Sequence, residues 1–201
     1  NRHVKLVIGN VSALDTANRE ITVVPSGDRL VIPGQHDATL LKLPYDYLVI
    51  GTGARLAPED LTGLTEGVGK WHDFYSLEGA MRLRTALHNF EGGRIVIAVG
   101  GIPYRCPPAA VEFAFLLDEW LGKRDIRKAT EIQYLDPINR VFTIESVAEM
   151  VTPLLDQRDI KYTVFFNSDS VDTERQVISS MEGEEVPYDL LVMVPPHRGS
   201  K

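Results

Sequence analysis

Arg94-Ile-Val-Ile-Ala-Val-Gly-Gly101, followed by Ile102-Pro-Tyr-Arg-Cys-Pro-Pro108, decides the fold of this chain. The first segment is an apolar run that ends in two glycines and leads into a helical pattern, as a dinucleotide-binding βαβ unit does. Where further glycines of that fingerprint are expected, the second segment has a proline-rich loop that contains the only cysteine, Cys106. The sequence therefore predicts a nucleotide-site framework whose loop is suited to thiol chemistry.

Helix and strand patterns alternate on both sides of this segment. Ser76 is a good N-cap, and the helical spacing after it continues until Gly92-Gly93. A second helix is predicted from Pro108 to Gly122. A third pattern contains Thr152-Pro153, which indicates either a kink or a new helix capped by Thr152. We predict that helix at 145–158 and strands at 94–99, 131–135, 162–166, 176–179 and 190–194. This order favours an open α/β sheet followed by a β-meander.

The first part of the chain is β-rich. Short strand patterns occupy residues 4–8, 20–24, 30–32 and 47–50, and Pro25-Ser-Gly-Asp28 is typical of a tight hairpin turn. Residues 58–71 have several glycines and no clear period, which indicates a linker or crossing loop. We therefore predict a β-rich segment at 1–57, a linker and helix at 58–93, and a domain at 94–201.

One short pattern occurs twice. Leu43-Pro-Tyr-Asp-Tyr-Leu-Val-Ile50 and Val186-Pro-Tyr-Asp-Leu-Leu-Val-Met193 both place Pro-Tyr-Asp before an apolar strand pattern. Each copy follows a β-rich meander, so two related units in tandem are the simplest interpretation. The alternative is that two unrelated strands begin alike, because strands share aromatic and β-branched residues.

Composition excludes several classes of function. The 201 residues carry a net charge of −7, which disfavours nucleic acid as a partner. No apolar stretch is long enough for a membrane span. One cysteine allows neither an internal disulfide nor a multi-thiolate zinc site, and the five histidines show no ligand spacing, so no metal site is predicted.

Four segments in order carry a resemblance to a known family. Tyr45-Asp-Tyr-Leu-Val-Ile-Gly-Thr-Gly53, the glycine-ended strand, Pro103-Tyr-Arg-Cys-Pro-Pro108 and Pro195-Pro-His-Arg198 resemble the sulfide:quinone oxidoreductase and flavocytochrome c sulfide dehydrogenase group. These are flavoproteins of the pyridine nucleotide-disulfide oxidoreductase superfamily, and the resemblance covers essentially the whole chain. It implies a Rossmann-like NAD(P)/FAD-binding α/β fold, with residues 1–57 as the C-terminal part of the FAD-binding domain and 94–201 as a truncated NADH-like domain.

The resemblance also implies an activity. In this group sulfide is oxidised at a cysteine pair beside FAD, and a quinone or a haem subunit accepts the electrons. The chain would be an internal piece of such an enzyme, with the pyrophosphate-binding loop and the second cysteine outside it. The piece alone is then expected to be soluble, inactive and without FAD. The whole enzyme would be cytoplasmic or peripherally attached to a membrane, and a homo-oligomer is possible.

Five residues are candidates for the site. Cys106 lies before a helix and beside Arg105, both of which favour a thiolate, and the resemblance makes it the redox cysteine. Glu112 either relays a proton near the sulfur or complements the helix dipole. By resemblance, the backbone of Thr52 and Gly53 lies against FAD, and Val11 matches the position that meets the adenine.

Asp136, after the second strand of the domain, allows two interpretations. It could hold the ribose of NAD, or it could begin the ordinary turn Asp136-Pro-Ile-Asn139. The turn is favoured, because the loop after Gly101 is too long and proline-rich for close approach to a pyrophosphate.

Two other functions remain open from the sequence. One is a type II NADH:quinone dehydrogenase or a related NAD(P)H flavoprotein. The other is a non-catalytic nucleotide-fold module that docks partners, for which an inert, buried Cys106 would be expected.

Overall fold

The computed structural model describes residues 4–30 and 40–199. The chain divides into two compact units, Asn1–Gly51 and Thr52–Lys201. The sequence had placed the first boundary after residue 57. The difference arises because the strand Ala54–Leu56 pairs with the strand His197–Gly199 of the second unit.

The first unit is an antiparallel meander. Its strands are β1 (Val7–Asp15), β2 (Glu20–Leu30) and β3 (Leu41–Pro44), in the order β1-β2-β3. The hairpin turn predicted at residues 25–28 is wrong, because these residues lie within β2. Pro25 stands opposite Gly9, next to an irregularity in the register, and such a position tolerates a residue without an N–H donor. The strand predicted at 30–32 extends beyond the described residues.

Residues 47–50 do not form the strand that their composition predicts. The side chains of Tyr47 and Val49 are 95% and 91% exposed, and Ile50 is 67% exposed. An apolar run of this kind is typical of a parallel strand covered on both faces. Among the described residues of the first unit, only the strands of the meander pair with one another. Residues 47–50 therefore have no strand there to pair with.

The second unit contains the remaining elements. They are β4 (Ala54–Leu56), α1 (Leu77–Asn89), β5 (Gly93–Val99), α2 (Ala109–Lys123), β6 (Thr130–Leu135), α3 (Glu145–Gln157), β7 (Ile160–Thr163), β8 (Ser168–Asp172), β9 (Val177–Ser180), β10 (Glu185–Pro187), β11 (Leu190–Val194) and β12 (His197–Gly199). Two 3-10 turns, Pro58–Asp60 and Arg127–Ala129, complete the unit.

An open parallel sheet is the centre of this unit. Its order is β11-β5-β6-β7, and every neighbouring pair is parallel. The last five residues of β5 and all of β11 are buried, as expected for strands with cover on both faces. One face packs against the three helices, and the other packs against β8 to β10 and residues 61–71. The predicted α/β class with a β-meander is confirmed.

The helices largely match the sequence patterns. The Ser76 hydroxyl accepts a hydrogen bond from the amide of Gly79 at 2.9 Å, as an N-cap does. Helix α3 runs without a break through Pro153, so neither a new helix nor a cap at Thr152 is present. The Thr152 hydroxyl instead donates to the carbonyl of Ala148 at 2.8 Å. None of the helices among the described residues has the length and apolar character of a membrane span.

Residues 58–71 are not a free linker. Leu61, Leu64 and Trp71 are buried in the core on one face of the sheet, and the Trp71 indole donates to the carbonyl of Leu64 at 2.8 Å. The glycines between these residues interrupt any helical or strand period, so the sequence pattern did not indicate that the segment is buried. Strands β8, β10 and β12 were also missed, because each has only three to five residues and a polar composition.

The repeated Pro-Tyr-Asp pattern has a structural counterpart. Each copy follows a three-stranded antiparallel meander, β1 to β3 in the first unit and β8 to β10 in the second. In the second copy the apolar run becomes β11, which pairs with β5. The two meanders are consistent with two related units in tandem.

Candidate functional site

The loop that carries Cys106 lies at the carboxyl end of β5, where open α/β sheets place their ligands. The Cys106 side chain is exposed, and its backbone is left-handed with a φ of 53°. A non-glycine residue pays on the order of 1 kcal/mol for this conformation. Surrounding contacts must therefore hold it.

Three hydrogen bonds hold the loop at consecutive carbonyl groups. The Tyr75 hydroxyl donates to the carbonyl of Arg105 at 2.6 Å, and the Tyr104 hydroxyl donates to that of Pro107 at 3.2 Å. The amide of Ala109 donates to the carbonyl of Cys106 itself at 2.9 Å. We call this arrangement the carbonyl clamp. It fixes the backbone on both sides of the thiol.

Tyr75 is in turn positioned by a buried carboxylate. Asp73 is 2% exposed and accepts hydrogen bonds from the amides of Tyr75 and Ser76, both at 2.9 Å. It also accepts one from the Ser76 hydroxyl at 3.2 Å. The ring of Phe74 stacks on Tyr75 and on Phe113, with centroids 5.2 and 4.9 Å apart. The start of α1 and the thiol loop are thereby joined.

A cation and a histidine lie beside the Tyr75 ring. The Arg105 guanidinium is 5.6 Å from the ring centroid, and His197 meets the ring edge-on at 5.1 Å. Nδ1 of His197 lies 2.8 Å from the carbonyl of Pro195, whereas Nε2 is buried and has no partner among the described residues. Burial is the main cause that lowers the pKa of His197; the hydrogen bond with the Pro195 carbonyl opposes this shift, and the charge of Arg105 adds to it. Burial raises the pKa of Tyr75 to about 12, which keeps its hydroxyl a donor.

Sequence reasoning missed most of these neighbours. His197 was noticeable within Pro195-Pro-His-Arg198, and Tyr104 belongs to the cysteine motif. Tyr75 and Asp73 carried no signal except that they precede the N-cap Ser76. Their role depends on tertiary packing.

The clamp gives a testable expectation. Replacing Tyr75 with phenylalanine removes the bond to the Arg105 carbonyl while the ring stays, so we expect a loss of about 1 kcal/mol in the free energy of unfolding. Exchange of the Ala109 amide, which donates to the carbonyl of Cys106, should become faster. Urea unfolding and hydrogen exchange measure both effects. Tyr162→Phe, a partly buried tyrosine on β7, is the matched control, and equal exchange in the two variants would contradict the clamp.

Asp136 is committed to internal contacts. Its side chain is 1% exposed, accepts from the amide of Ile138 at 3.0 Å and makes a short hydrogen bond with the Tyr134 hydroxyl. The bond to Ile138 is that of an Asx turn, so the turn interpretation agrees with the structure. A carboxylate in this state is not free to bind a ribose.

The glycine turn after β5 is also packed against protein. A Cβ at Gly100 would lie 3.0 Å from the Cδ of Pro196 and 3.0 Å from the carbonyl oxygen of Val194. The Gly100 amide already donates to that carbonyl at 2.8 Å. The glycine thus allows the segment after β11 to approach closely.

The buried Asp136 should make stability depend on pH. Burial is the main cause that raises the pKa of this carboxyl, and the bonds from Tyr134 and Ile138 only partly oppose it. Its contribution to stability is therefore fully present below the unfolded pKa of about 4 and is lost as the pH rises through the higher folded value. Relative to Asp136→Asn, which cannot ionise, the wild type should lose stability over that range. Thermal unfolding from pH 3 to 8 measures the difference, and parallel curves would contradict the assignment.

Glu112 occupies the first turn of α2, as predicted. It is exposed and lines a cleft with Phe115, Phe142 and Arg158. The position suits both alternatives, a proton relay and a partner for the helix dipole. Its role stays a prediction.

The predicted FAD contacts lie in both units. Val11 belongs to β1, stands opposite Val23 and is 63% exposed. Thr52 and Gly53 are exposed just before β4, and Gly53 has a φ of 72°. A Cβ at Gly53 would meet no atom within 4 Å, and the positive φ is a conformation that glycine adopts without strain. The sequence contains no Gly-x-Gly-x-x-Gly, the pattern that binds the pyrophosphate of a dinucleotide.

Comparisons with known proteins support a relationship at low identity. The mitochondrial sulfide:quinone oxidoreductase of Dictyostelium discoideum is 24% identical over 161 residues, which are 77% of this chain and 36% of that protein. The sulfide:quinone oxidoreductase of the hyperthermophilic bacterium Aquifex aeolicus has a TM-score of 0.67 at 22% identity, over 96% of this chain and 42% of that one.

A NAD-dependent persulfide reductase from A. fulgidus has a TM-score of 0.55 at 19% identity, over 95% of this chain and 31% of that chain. No protein-family model matches. The chain thus spans less than half the length of these relatives. The resemblance seen in the sequence is confirmed: the chain is similar in sequence to sulfide:quinone oxidoreductases and has the fold of the FAD-dependent pyridine nucleotide-disulfide oxidoreductase superfamily.

Proposed function

We propose that this chain is part of a sulfide:quinone oxidoreductase in which Cys106 is a redox cysteine. The observation that carries the proposal is the exposed thiol at the end of β5, held in a left-handed conformation by the carbonyl clamp. A buried cysteine that only fills space needs no such support.

The neighbourhood of the thiol favours sulfur over a nicotinamide as the source of electrons. Asp136 is buried and bonded, and Gly100 packs against Pro196, so neither is free to bind NAD. The alternative, an NAD(P)H flavoprotein, has support from the shared fold of the NAD-dependent persulfide reductase. It would need a dinucleotide site in which Asp136 and Gly100 give up or share these internal contacts.

The proposed reaction oxidises sulfide by two electrons. HS⁻ yields sulfur at the zero oxidation state, one proton and two electrons, and a quinone takes up two electrons and two protons to become a quinol. Cys106 would hold the sulfur in a bridge with a cysteine outside these 201 residues, since the chain has only one. FAD, if bound, would supply a two-electron acceptor for this oxidation, and a quinone or a haem subunit would be the final acceptor.

The residues of this chain would serve that reaction in separate ways. Cys106 binds the sulfur, and Glu112 either accepts the released proton or stabilises the amino end of α2. The backbone of Thr52, Gly53 and Val11 would contact FAD in the whole protein. Because a quinone is apolar, we propose that the whole enzyme associates with a membrane surface.

The reactivity of Cys106 tests this proposal against a non-catalytic module. In the native chain a small aromatic disulfide should modify one thiol per chain, at a rate within about tenfold of that in the denatured chain. Absorbance of the released thiol measures the rate, and Cys106→Ser provides the blank. A thiol that reacts only after denaturation would favour the docking module instead.

A further inference from the structure

Asp136 is a buried carboxyl that the proposed reaction does not use. It follows β6 directly, has 1% of its surface exposed, and accepts a hydrogen bond from the Ile138 amide at one oxygen. Among residues 4–30 and 40–199 no cationic side chain pairs with it. Burial of an unpaired carboxylate costs free energy, so the protonated carboxyl is favoured in this position.

The second oxygen of Asp136 begins a chain of hydroxyl groups. It is hydrogen bonded to the Tyr134 hydroxyl, which also makes a hydrogen bond with the hydroxyl of Tyr104. Tyr104 is half-buried, packs against the core that contains Tyr134, and reaches the carbonyl of Pro107 at 3.2 Å. We call Asp136, Tyr134 and Tyr104 the hydroxyl chain. It connects the interior of the sheet to the residue that follows Cys106.

The hydroxyl chain makes all of its bonds when Asp136 is protonated. Each hydroxyl group has one proton to donate, and a carboxyl can donate only when it is protonated. The protonated Asp136 donates to Tyr134, and Tyr134 donates to Tyr104. The proton of Tyr104 is then free for the carbonyl of Pro107. Three hydrogen bonds result, and the last of them belongs to the carbonyl clamp.

Ionisation of Asp136 removes one of these three bonds. Tyr134 must then donate to the carboxylate, because a bond to a charged acceptor is the stronger one. The single proton of Tyr104 can serve either Tyr134 or the carbonyl of Pro107, but not both. Burial raises the pKa of both tyrosines, so they keep their protons while Asp136 titrates. The bond to the Pro107 carbonyl is therefore weaker when the carboxyl is ionised.

We propose that Asp136 is a positioning residue for the Cys106 thiol, whose loop it holds through Tyr134 and Tyr104 when it is protonated. Ionisation loosens the carbonyl clamp at Pro107 only. Tyr75 and Cys106 are the other titratable groups that act on Tyr104. The importance of this coupling for catalysis rests on the redox role proposed for Cys106.

Two tyrosine variants separate the hydroxyl chain from the clamp as a whole. Tyr104→Phe leaves the Tyr134 hydroxyl without an acceptor only when Asp136 is protonated, so the acid dissociation constant of Asp136 should rise about fivefold. Tyr75→Phe, which loses a clamp bond outside the chain, should leave that constant unchanged. Carbon-13 NMR of labelled aspartate carboxyl groups from pH 4 to 9 measures it. Equal constants in Tyr104→Phe and the native chain, or no titration of Asp136 in this range, would overturn the proposal.

Asp136→Asn tests the same coupling from the loop. The asparagine amide can donate to Tyr134 and does not ionise, so the variant should keep the protonated arrangement at every pH. In the native chain the protection of the Ala109 amide, which donates to the Cys106 carbonyl, should fall about fivefold as Asp136 ionises. Hydrogen exchange, corrected for its intrinsic pH dependence, should show this fall in the native chain alone. The same fall in both proteins would refute the coupling, and if Asp136→Asn does not fold, the tyrosine comparison still decides.

These measurements do not depend on sulfide oxidation. Flavin reduction that persists in Cys106→Ser would remove the redox role but not the coupling. An unchanged titration of Asp136 in Tyr104→Phe would remove the coupling but not the redox role.

Discussion

Replacing Cys106 with serine is expected to abolish sulfide-dependent reduction of the flavin in the FAD-containing protein. The rate should fall by about 1000-fold or more, because a hydroxyl can neither form the sulfur bridge nor carry the oxidised sulfur. Stopped-flow absorbance of the flavin after mixing with sulfide measures the rate.

The free energy of unfolding of Cys106→Ser serves as the control for the kinetic measurement. The side chain of Cys106 is exposed and serine has nearly the same shape, so the free energy of unfolding should change by less than about 0.5 kcal/mol. Retained flavin reduction in Cys106→Ser would remove the thiol from the reaction. A large loss of stability would instead show that the residue supports the loop.

Replacing Asp73 with alanine is expected to have the largest effect on folding. Its carboxylate accepts two backbone hydrogen bonds at the start of α1, from Tyr75 and Ser76. Bonds to a charged group contribute about 1.5–3 kcal/mol each, so the free energy of unfolding should fall by about 3 kcal/mol. Chemical denaturation followed by circular dichroism measures this loss.

Asparagine at position 73 provides the matched comparison. Its amide oxygen can still accept from the two amides, so Asp73→Asn should lose only about 1 kcal/mol. Tyr75 should then still donate its hydrogen bond to the Arg105 carbonyl. The reaction rate of the Cys106 thiol should therefore stay near that of the native chain. If the alanine variant were as stable as the asparagine variant, Asp73 would not anchor the clamp.

Local patterns predicted much of the second unit. The apolar residues of β5 and the N-cap Ser76 depend on nearby sequence, and both were recognised. Residues 47–50 show the limit of such patterns. They have the composition of a buried strand, but a strand also needs neighbours to pair with, and none is present among the described residues of the first unit.

The candidate site was predicted only in part. The motif around Cys106 identified the thiol, but the clamp joins it to Tyr75, which is 31 residues away in sequence. No short-range pattern marks such a contact. The same is true of Asp136, where the sequence allowed a ribose ligand or a turn, and the burial of the carboxylate distinguishes them.

The electron donor is the central question for the proposed enzyme. The most direct measurement mixes the FAD-containing protein anaerobically, first with sulfide and then in a separate experiment with NADH, and follows the loss of flavin absorbance. We predict that sulfide bleaches the flavin and that NADH does not, since Asp136 and Gly100 make internal contacts. Bleaching by NADH without bleaching by sulfide would contradict the account and favour an NAD(P)H flavoprotein.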